Sequence, residues 1–277
     1  MTDEIDAQRA AESALSLKAG AVLKDLPGRR RITRYGELVV KSFATIEADA
    51  FERERAGLLS LASTGLAPAL FSHGESWVAT AWLDGEPIEE AGDDAHRSLG
   101  RWLARLHAVD PAGLPPWPLA QRLRAGLSDP PDSCPADLVE PLAAAAERWI
   151  PHLRSDTFVH GDWGDSNVLA NPEDPTDIRA IIDFEDCHVG DAAEDFRWQA
   201  MTGPASTMLA PMLQTYGDMG PYAGERIAAA TTELIIDVLS WYSAPGEIER
   251  AQRNCLPTLR ALIDGWLPAA VSNSQIQ

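Results

Sequence analysis

Hydrophobic positions in the first third of the chain come in short alternating runs with turn residues between them. Three of these runs are typical of strands: Ala21-Val22-Leu23, Arg31-Ile32-Thr33-Arg34-Tyr35 and Leu38-Val39-Val40-Lys41-Ser42-Phe43. Because proline- and glycine-containing turns separate them, we predict an antiparallel meander. From Glu47 to Ala62 the apolar spacing becomes that of a helix. Two further strands are predicted over 69–71 and 77–82.

Apolar residues at helical spacing dominate the chain beyond about residue 90. The predicted helices cover 98–107, 119–127, 135–153 and the strongly apolar run 227–241. The first twenty residues also favour a short amphipathic helix. The order is therefore a β-rich lobe followed by a larger helical lobe, which predicts an α+β fold with domains over 1–83 and 84–277.

Charge and composition narrow the classes of partner. The 277 residues carry a net charge of −19, which argues against nucleic acid or an anionic membrane as a partner. The acidity fits a cationic small substrate, although it also serves solubility alone. No apolar run approaches the ~20 residues of a membrane helix, and the acidic N-terminus is unlike a secretory signal. Three cysteines without metal or redox spacing indicate free thiols and a cytoplasmic location.

One strand–loop–strand segment carries the candidate chemistry, and its sequence is Phe158-Val159-His160-Gly161-Asp162-Trp163-Gly164-Asp165-Ser166-Asn167-Val168-Leu169, followed by Ile181-Ile182-Asp183. Asp162 follows a buried strand, where a carboxylate would orient an attacking hydroxyl and accept its proton. Asn167 and Asp183 lie at one end of a hairpin predicted to turn over 171–177. Their oxygens would hold Mg²⁺ there. Each residue alone has the alternative of capping a turn or ending a strand, but together they favour phosphoryl transfer.

This segment resembles the catalytic core of the aminoglycoside phosphotransferase and choline kinase-like family, which shares its fold with the protein kinases. The resemblance implies a bilobal fold, with a small antiparallel β-sheet lobe and a larger, mainly helical lobe. It also implies transfer of the γ-phosphate of ATP or GTP to a substrate hydroxyl with Mg²⁺. His160 would bridge loop backbones. Asp191 and Asp195, in a Gly-Asp-x-x-x-Asp segment, would support the site, and Asp195 would accept hydrogen bonds from the catalytic loop.

The family also places a lysine on a central strand of the small lobe, where it reaches the nucleotide phosphates and is held by a glutamate of a helix. Val39-Val40-Lys41 is the only apolar strand with a lysine in that setting. A charge among apolar neighbours requires a partner, and Glu54 shares the predicted inward face of the following helix. We therefore predict a Lys41–Glu54 pair. The alternative is an edge-strand lysine beside a solvated helix.

The resemblance further implies that residues 77–85 form a hinge where adenine pairs with the backbone of Ala81 and Leu83, with Thr80 beside the deeper pocket. The chain departs from the protein kinases in one respect, since it has no Gly-x-Gly-x-x-Gly loop over the phosphates. The corresponding tip carries three arginines, residues 29–31. Arginines there contact phosphate or keep the hairpin soluble, and we favour the second alternative.

The substrate is the least determined part of the prediction. Asp165, Glu185 and Asp186 flank the site and are candidates for an acidic, substrate-facing wall, with plain solvent exposure as the equal alternative. Resemblance and charge favour a cationic antibiotic such as an aminoglycoside, and hence a role in antibiotic resistance or biosynthesis.

Two other functions stay open at this point. One is a metabolic kinase for choline, a sugar or an amino alcohol, for which an aromatic cage around an ammonium group would come from Trp198, Tyr216, Trp241 and Tyr242. The other is a nucleotide-binding pseudokinase scaffold, which would lack one of the essential lysine, aspartate and asparagine groups.

Overall fold

The computed structural model describes residues 3–88 and 92–274. The strands are β1 (Ala21–Leu26), β2 (Arg30–Tyr35), β3 (Leu38–Phe43), β4 (Leu70–His73), β5 (Trp77–Ala81), β6 (Glu86–Pro87), β7 (Thr157–Val159), β8 (Val168–Asn171), β9 (Asp174–Ile181) and β10 (His188–Gly190). The helices are α1 (Asp3–Ala14), α2 (Ala48–Ser60), α3 (Asp93–His107), α4 (Leu119–Ser128), α5 (Ala136–Trp149), α6 (Arg197–Met201), α7 (Leu209–Tyr216), α8 (Ala223–Ser240), α9 (Pro245–Ile263) and α10 (Trp266–Ser274). Short 3₁₀ turns cover Thr45–Glu47, Ile150–His152, Asp165–Asn167, Ala192–Phe196 and Gly203–Ala205.

The chain divides into two compact units. Unit 1 consists of the described residues within Met1–Glu89, together with Val109–Pro115 and His160–His188. Unit 2 consists of the described residues within Glu90–Ala108, together with Pro116–Val159 and Val189–Gln277. The segment with the candidate catalytic residues therefore belongs to the same unit as the N-terminal sheet. The boundary between residues 83 and 84 stays a prediction about the lobes.

A five-stranded antiparallel sheet is the centre of unit 1, with strand order β1-β2-β3-β5-β4. Side chains alternate between its two faces, as they do in any strand. On one face, Val40 of β3 packs with Ala11 of α1 in an apolar cluster. On the other face, Val39 and Lys41 line a cavity together with Leu58 of α2. The predicted meander and the helix after it are confirmed.

The rest of unit 1 contains a hairpin of β8 and β9, to which β6 adds a short third strand. The turn of this hairpin is tighter than the predicted turn over 171–177, because β9 already begins at Asp174. The side chain of Asn171 accounts for the difference, since its Oδ1 accepts the backbone N–H of Glu173 at 3.1 Å and closes the turn locally.

Unit 2 is mainly helical and is organised around α8, most of whose residues are buried. Helices α4, α6, α9 and α10 pack against it. Helix α3 begins at Asp93, earlier than the predicted start at residue 98, because acidic residues in its first turn favour a helix N-terminus without adding to the apolar pattern. Among residues 3–88 and 92–274, no helix has both the length and the apolarity needed to cross a bilayer.

Candidate active site

The loop after β7 is held in place by the ring of His160. The backbone N–H of Asp162 donates to His160 Nδ1 at 3.2 Å, so Nδ1 is the acceptor nitrogen. His160 Nε2, 3.0 Å from the carbonyl oxygen of Ile182, is then the donor nitrogen. The ring therefore connects the Asp162 loop to the residue before Asp183, which is the bridging position expected for it.

Gly161 allows this loop to pass close to the neighbouring backbone. Its φ of +85° lies in the left-handed region, which favours glycine. A Cβ at this position would lie 2.3 Å from the carbonyl oxygen of Asp186. Any larger residue would therefore displace either the Asp162 loop or the segment after Asp183.

Asp162 and Asn167 are joined through the asparagine side chain. Asn167 Nδ2 donates to the backbone oxygen of Asp162 at 2.9 Å and to its carboxylate Oδ2, also at 2.9 Å. Because both partners are acceptors, the orientation of the amide is determined, and Asn167 Oδ1 points away from Asp162. The backbone of Asn167 also accepts the N–H of Ile182 at 2.9 Å, next to Asp183. The structure thus brings Asp162, Asn167 and Asp183 together.

Asp183 has an uncommon backbone conformation. It follows β9 with a φ of +68°, and for a residue other than glycine such a conformation costs on the order of 1 kcal/mol or more. Strain of this kind is frequent at functional sites. In this conformation the carboxylate of Asp183 contacts the Nζ of Lys41 and forms a close ion pair with it.

Lys41 is a buried cation surrounded by three carboxylates. Its Nζ lies 3.3 Å from Glu54 Oε2 and 3.0 Å from Glu185 Oε2, in addition to the contact with Asp183. Burial alone would lower the pKa of Lys41, but the charges of Glu54 and Asp183 outweigh it and raise the pKa above its usual value. The lysine is therefore charged at neutral pH.

The two acids respond differently to the same lysine. Burial raises the pKa of Glu54, and the nearby ammonium group offsets this only in part. Burial also acts to raise the pKa of Asp183, but the charge and hydrogen bond of Lys41 prevail and hold it below its usual value. Asp183 is consequently the more acidic of the two groups. Its side chain is 26% exposed, whereas that of Glu54 is 7% exposed.

An apolar cavity of about 350 Å³ opens beside Lys41 within unit 1. Strand residues such as Ile32 and Val39 line it on one side, and Leu169 and Ile182 of the hairpin segment also contribute. The predicted hinge residues Thr80, Ala81 and Leu83 also line it. The lining is thus mainly apolar, with the charged group of Lys41 at one part of it.

The three residues predicted to face substrate have different surroundings. Asp165 is half-buried at the start of the 3₁₀ turn that leads to Asn167. Asp186 is half exposed, with its Oδ1 3.7 Å from Arg53. Glu185 is the exception, because its side chain is only 14% exposed and forms ion pairs with Arg30 and Lys41. For Glu185 the alternative of plain solvent exposure is wrong.

The arginines at the β1–β2 tip also differ from expectation. The expected role was solubility of the hairpin, but the side chain of Arg30 is only 12% exposed. Arg31 forms an ion pair with Asp25, with 2.6 Å between Nη2 and Oδ2. Arg29 remains largely exposed and lies 2.5 Å from Glu47. The solvated alternative is therefore wrong for Arg30, whose charge is held inside the protein by Glu185 and Glu47.

The two remaining predicted residues lie in unit 2. Asp191 caps the 3₁₀ turn at Ala192–Phe196, accepts the N–H of Ala193 at 2.9 Å and pairs with the buried Arg226 at 2.8 Å. Burial raises the pKa of Asp191, and Arg226 only partly counteracts this. Asp195 Oδ2 lies 3.0 Å from Nε2 of His107, whose Nδ1 contacts the hydroxyl of Tyr216 at 2.8 Å. The expected bond from Asp195 to the catalytic loop stays a prediction.

Comparison with known proteins identifies the family. A sequence profile of the Phosphotransferase enzyme family matches residues 29–228, which is most of the chain. The chain belongs to this family. A sequence search of curated proteins found no match.

Solved structures of this phosphotransferase fold resemble the chain over nearly its whole length. The GDP complex of wild-type aminoglycoside 2'-phosphotransferase-IIIa has a TM-score of 0.67 at 15% identity, covering 95% of this chain and 99% of that one. Macrolide 2'-phosphotransferase type I gives 0.62 at 19% identity, with 92% and 98% covered. A choline/ethanolamine kinase family protein from Mesorhizobium loti gives 0.71 at 14% identity, with 99% and 100% covered. At these identities the likeness establishes the fold.

The predicted family, the bilobal α+β kinase-like fold and the class of alcohol-acceptor phosphotransferase are confirmed. The roles of the individual residues stay predictions that the geometry above supports. Sequence reasoning considered Arg30 and Glu185 separately but missed that Glu185 pairs with both Arg30 and Lys41. The only available signal was strand parity, since Arg30 is two positions from Ile32 and therefore shares its face.

Proposed function

We propose that this phosphotransferase transfers the γ-phosphate of ATP or GTP to a hydroxyl of a cationic small molecule. The observation that carries the proposal is the buried Lys41 at the cavity, paired with Glu54 on one side and Asp183 on the other. A buried ammonium group held by a helix glutamate is arranged to receive phosphate oxygens. The apolar walls beside it suit a nucleobase.

The donor atoms of Asn167 and Asp183 fit Mg²⁺. They are hard oxygens, few in number, which is the pattern of a metal that keeps water and phosphate in its shell. The amide nitrogen of Asn167 is used by Asp162, which leaves the amide oxygen for a cation. When bound, Mg²⁺ would neutralise the charge of the β- and γ-phosphates.

Asp162 is the proposed base for the acceptor hydroxyl. Its carboxylate Oδ2 is fixed by the amide of Asn167, and its backbone N–H by His160. A positioned carboxylate contributes by aligning the hydroxyl and by accepting its proton as the new bond forms. Lys41 would hold the nucleotide phosphates, and Thr80, Ala81 and Leu83 would border the nucleobase.

The net charge of −19 and the relatives support a cationic substrate. One structural relative is a complex of its protein with GDP and kanamycin, at a TM-score of 0.65 and 16% identity. An aminoglycoside or another cationic antibiotic is therefore the first substrate class to test. In that case the biological role would be resistance or biosynthesis in the cytoplasm.

The test is Mg²⁺-dependent consumption of ATP and GTP across aminoglycosides, macrolides, peptide antibiotics, nucleosides, choline and simple sugars. We expect turnover with a cationic compound, and a loss of roughly 100-fold or more in Asp162→Ala, since a positioned base contributes about 10²–10⁴-fold. The control is Asp177→Ala, an exposed acid of β9 that pairs with Arg179 at 2.8 Å and accepts a hydrogen bond from Asn171 at 3.3 Å at the surface. It should retain full activity.

Three outcomes separate the candidate functions. Turnover lost in Asp162→Ala but retained in Asp177→Ala supports the proposal. Equal turnover in the wild type and Asp162→Ala would remove Asp162 from the mechanism. Nucleotide binding without consumption with any acceptor would favour a pseudokinase scaffold over an enzyme.

A metabolic kinase for choline or an amino alcohol is the second candidate, and one observation favours it. The rings of Trp198 and Trp241 lie 6.5 Å apart, and Trp241 is 56% exposed. Two neighbouring tryptophans form part of a cage for an ammonium group. Tyr216 does not join them, because its hydroxyl contacts His107 and its ring packs on Phe196. Choline turnover in the same panel that falls in Trp241→Ala would support this candidate.

A further inference from the structure

The β1–β2 connection lacks the glycine-rich sequence with which a protein kinase covers the nucleotide phosphates. β1 ends at Leu26 and β2 begins at Arg30, with Gly28 at a φ of +75° in the turn between them. A protein kinase uses a glycine-rich loop at this place. Charged side chains beside this turn are therefore candidates for holding the phosphates.

Arg30 is positioned to supply such a group. It is two residues before Ile32, so its side chain leaves β2 on the same face, and Ile32 is the register partner of Lys41. Ile32 and Lys41 both line the cavity. Arg30 thus extends the cavity-lining row of β2 toward the turn.

The guanidinium of Arg30 is already engaged with anions. Its Nη1 pairs with Glu185 Oε2, and its Nε lies 3.5 Å from Glu47 Oε2. The side chains of all three residues are between 8% and 14% exposed. A charge this buried is retained only where it has partners.

Glu185 bridges the two cations of the site. The same oxygen, Oε2, pairs with Arg30 and lies 3.0 Å from the Nζ of Lys41. A single anionic oxygen between a lysine and an arginine is the arrangement that a phosphate oxygen adopts between two such cations. The carboxylate of Glu185 therefore stands where a phosphate would be bound.

We propose that Arg30 is a second phosphate-binding cation of the nucleotide site, and that Glu185 holds its place until a nucleotide phosphate displaces the carboxylate. This inference rests on the proposed function, since it assumes that Lys41 binds nucleotide phosphates. The exchange replaces one anion by another, so neither Arg30 nor Lys41 is left buried without a partner at any stage.

The neighbouring arginines do not share this role. Arg31 leaves β2 on the opposite face, where it contacts Asp25 and Gln8. Arg29 is 60% exposed and pairs with Glu47 alone. Among the three arginines of the tip, only Arg30 is in contact with a residue that also contacts Lys41.

The experiment compares Arg30→Gln with the wild type in calorimetric binding of nucleoside triphosphate and of the nucleoside alone. We expect triphosphate affinity to fall roughly 10-fold to 100-fold, the value of one charge-assisted contact, while nucleoside affinity is unchanged. Arg31→Gln is the matched control, and it should bind both ligands like the wild type. An unchanged triphosphate affinity in Arg30→Gln would overturn the proposal.

A second variant tests the displacement itself. Glu185→Gln removes the competing charge, so binding of Mg²⁺-free triphosphate should become several-fold tighter than in the wild type. Weaker binding in this variant would contradict the displacement. If Arg30→Gln fails to fold, the double variant Arg30→Gln/Glu185→Gln replaces it, since neutral amides then fill both positions. The triphosphate affinity of the double variant is compared with that of Glu185→Gln.

The two levels of the proposal fail in different ways. If the wild type binds neither nucleotide nor nucleoside, the proposed function is wrong, and so is this inference. Triphosphate binding that is weakened in Lys41→Met but is as tight in Arg30→Gln as in the wild type would contradict only the role of Arg30.

Discussion

The buried pair of Arg226 and Asp191 gives the most quantitative prediction for unit 2. Arg226 is 1% exposed and Asp191 is fully buried, with 2.8 Å between Nη1 and Oδ1. Arg226 also donates to the carbonyl oxygen of Met219. The perturbation is Arg226→Met, because methionine fills much of the same space without the charge.

Removing one partner of a buried pair costs about 3–5 kcal/mol, since the other charge stays buried without compensation. Asp191 still accepts backbone N–H groups from Arg154 at 2.7 Å and Ala193 at 2.9 Å. We therefore expect the lower end, about 3 kcal/mol. At about 2–4 °C per kcal/mol, this corresponds to a Tm lower by roughly 6–12 °C.

The loss should also depend on pH. Burial already raises the pKa of Asp191 above its usual value in the wild type, and Arg226 opposes this. Without Arg226 the folded pKa rises further, while that of the unfolded chain does not change. An acid with a raised folded pKa loses stability as pH increases from its unfolded value toward its folded value. The variant should therefore be closer to the wild type near pH 4 than at pH 7.

Urea unfolding followed by circular dichroism at both pH values measures these differences. Arg253→Met is the control, because Arg253 is an exposed partner of Glu249 at 3.9 Å and should change the free energy of unfolding by less than about 1 kcal/mol. Asp191→Asn/Arg226→Met should recover part of the loss. A loss in Arg226→Met that equals the control, or that is larger at the lower pH, would refute the account of the buried pair.

Two further predictions concern unit 1. In Gly57→Ala, the new Cβ would lie 2.8 Å from Cys187 Sγ and 3.0 Å from the Cβ of Phe184, next to Asp183. We expect the free energy of unfolding to fall by about 1–3 kcal/mol and phosphoryl transfer to be slower, whereas the exposed control Glu52→Ala should change neither. Unchanged kinetics in Gly57→Ala would contradict a role of this packing in placing Asp183. Burial and then the bond to Glu12 raise the pKa of Tyr35 to about 12, so wild-type stability should fall as pH rises from about 10 to about 12. Tyr35→Phe should lack this part of the loss in alkaline denaturation, and an identical alkaline profile would refute the assignment.

The sequence predicted the elements that carry a strong periodic pattern. Lys41 was identifiable because the resembled family places a lysine on a strand of this kind. Glu54 was identifiable because a lysine among apolar residues needs a partner and helical spacing directs Glu54 inward. His160 was identifiable from its place in the motif, and its Nε2 lies 3.0 Å from the Ile182 carbonyl oxygen. In each case a local pattern or a known motif was sufficient.

The contacts that the sequence did not predict join residues far apart in the chain. Nothing near Arg30 indicates that Glu185 approaches it, because neither side chain belongs to a motif and both are usually exposed. The positive φ of Asp183 is also invisible in the sequence, since strand propensity ends at Ile181 and the following backbone is set by the packing around it. Tertiary contacts decided both features.

Unit 1 is assembled from segments that lie far apart in the chain, so its parts are synthesised at different times. Lys41 and Asp183 are separated by 142 positions, so at about 5–20 residues per second the lysine is synthesised roughly 7–30 s before its closest partner. During that time the N-terminal sheet emerges with a cation among apolar strand residues and only Glu54 to pair with it. An expressed fragment that stops before residue 160 would keep this incomplete state permanently, and exposed apolar surface on the cavity side would make it prone to aggregation. The cluster of charges around Lys41 is thus complete only once residues 160–188 have been synthesised and have joined the N-terminal sheet.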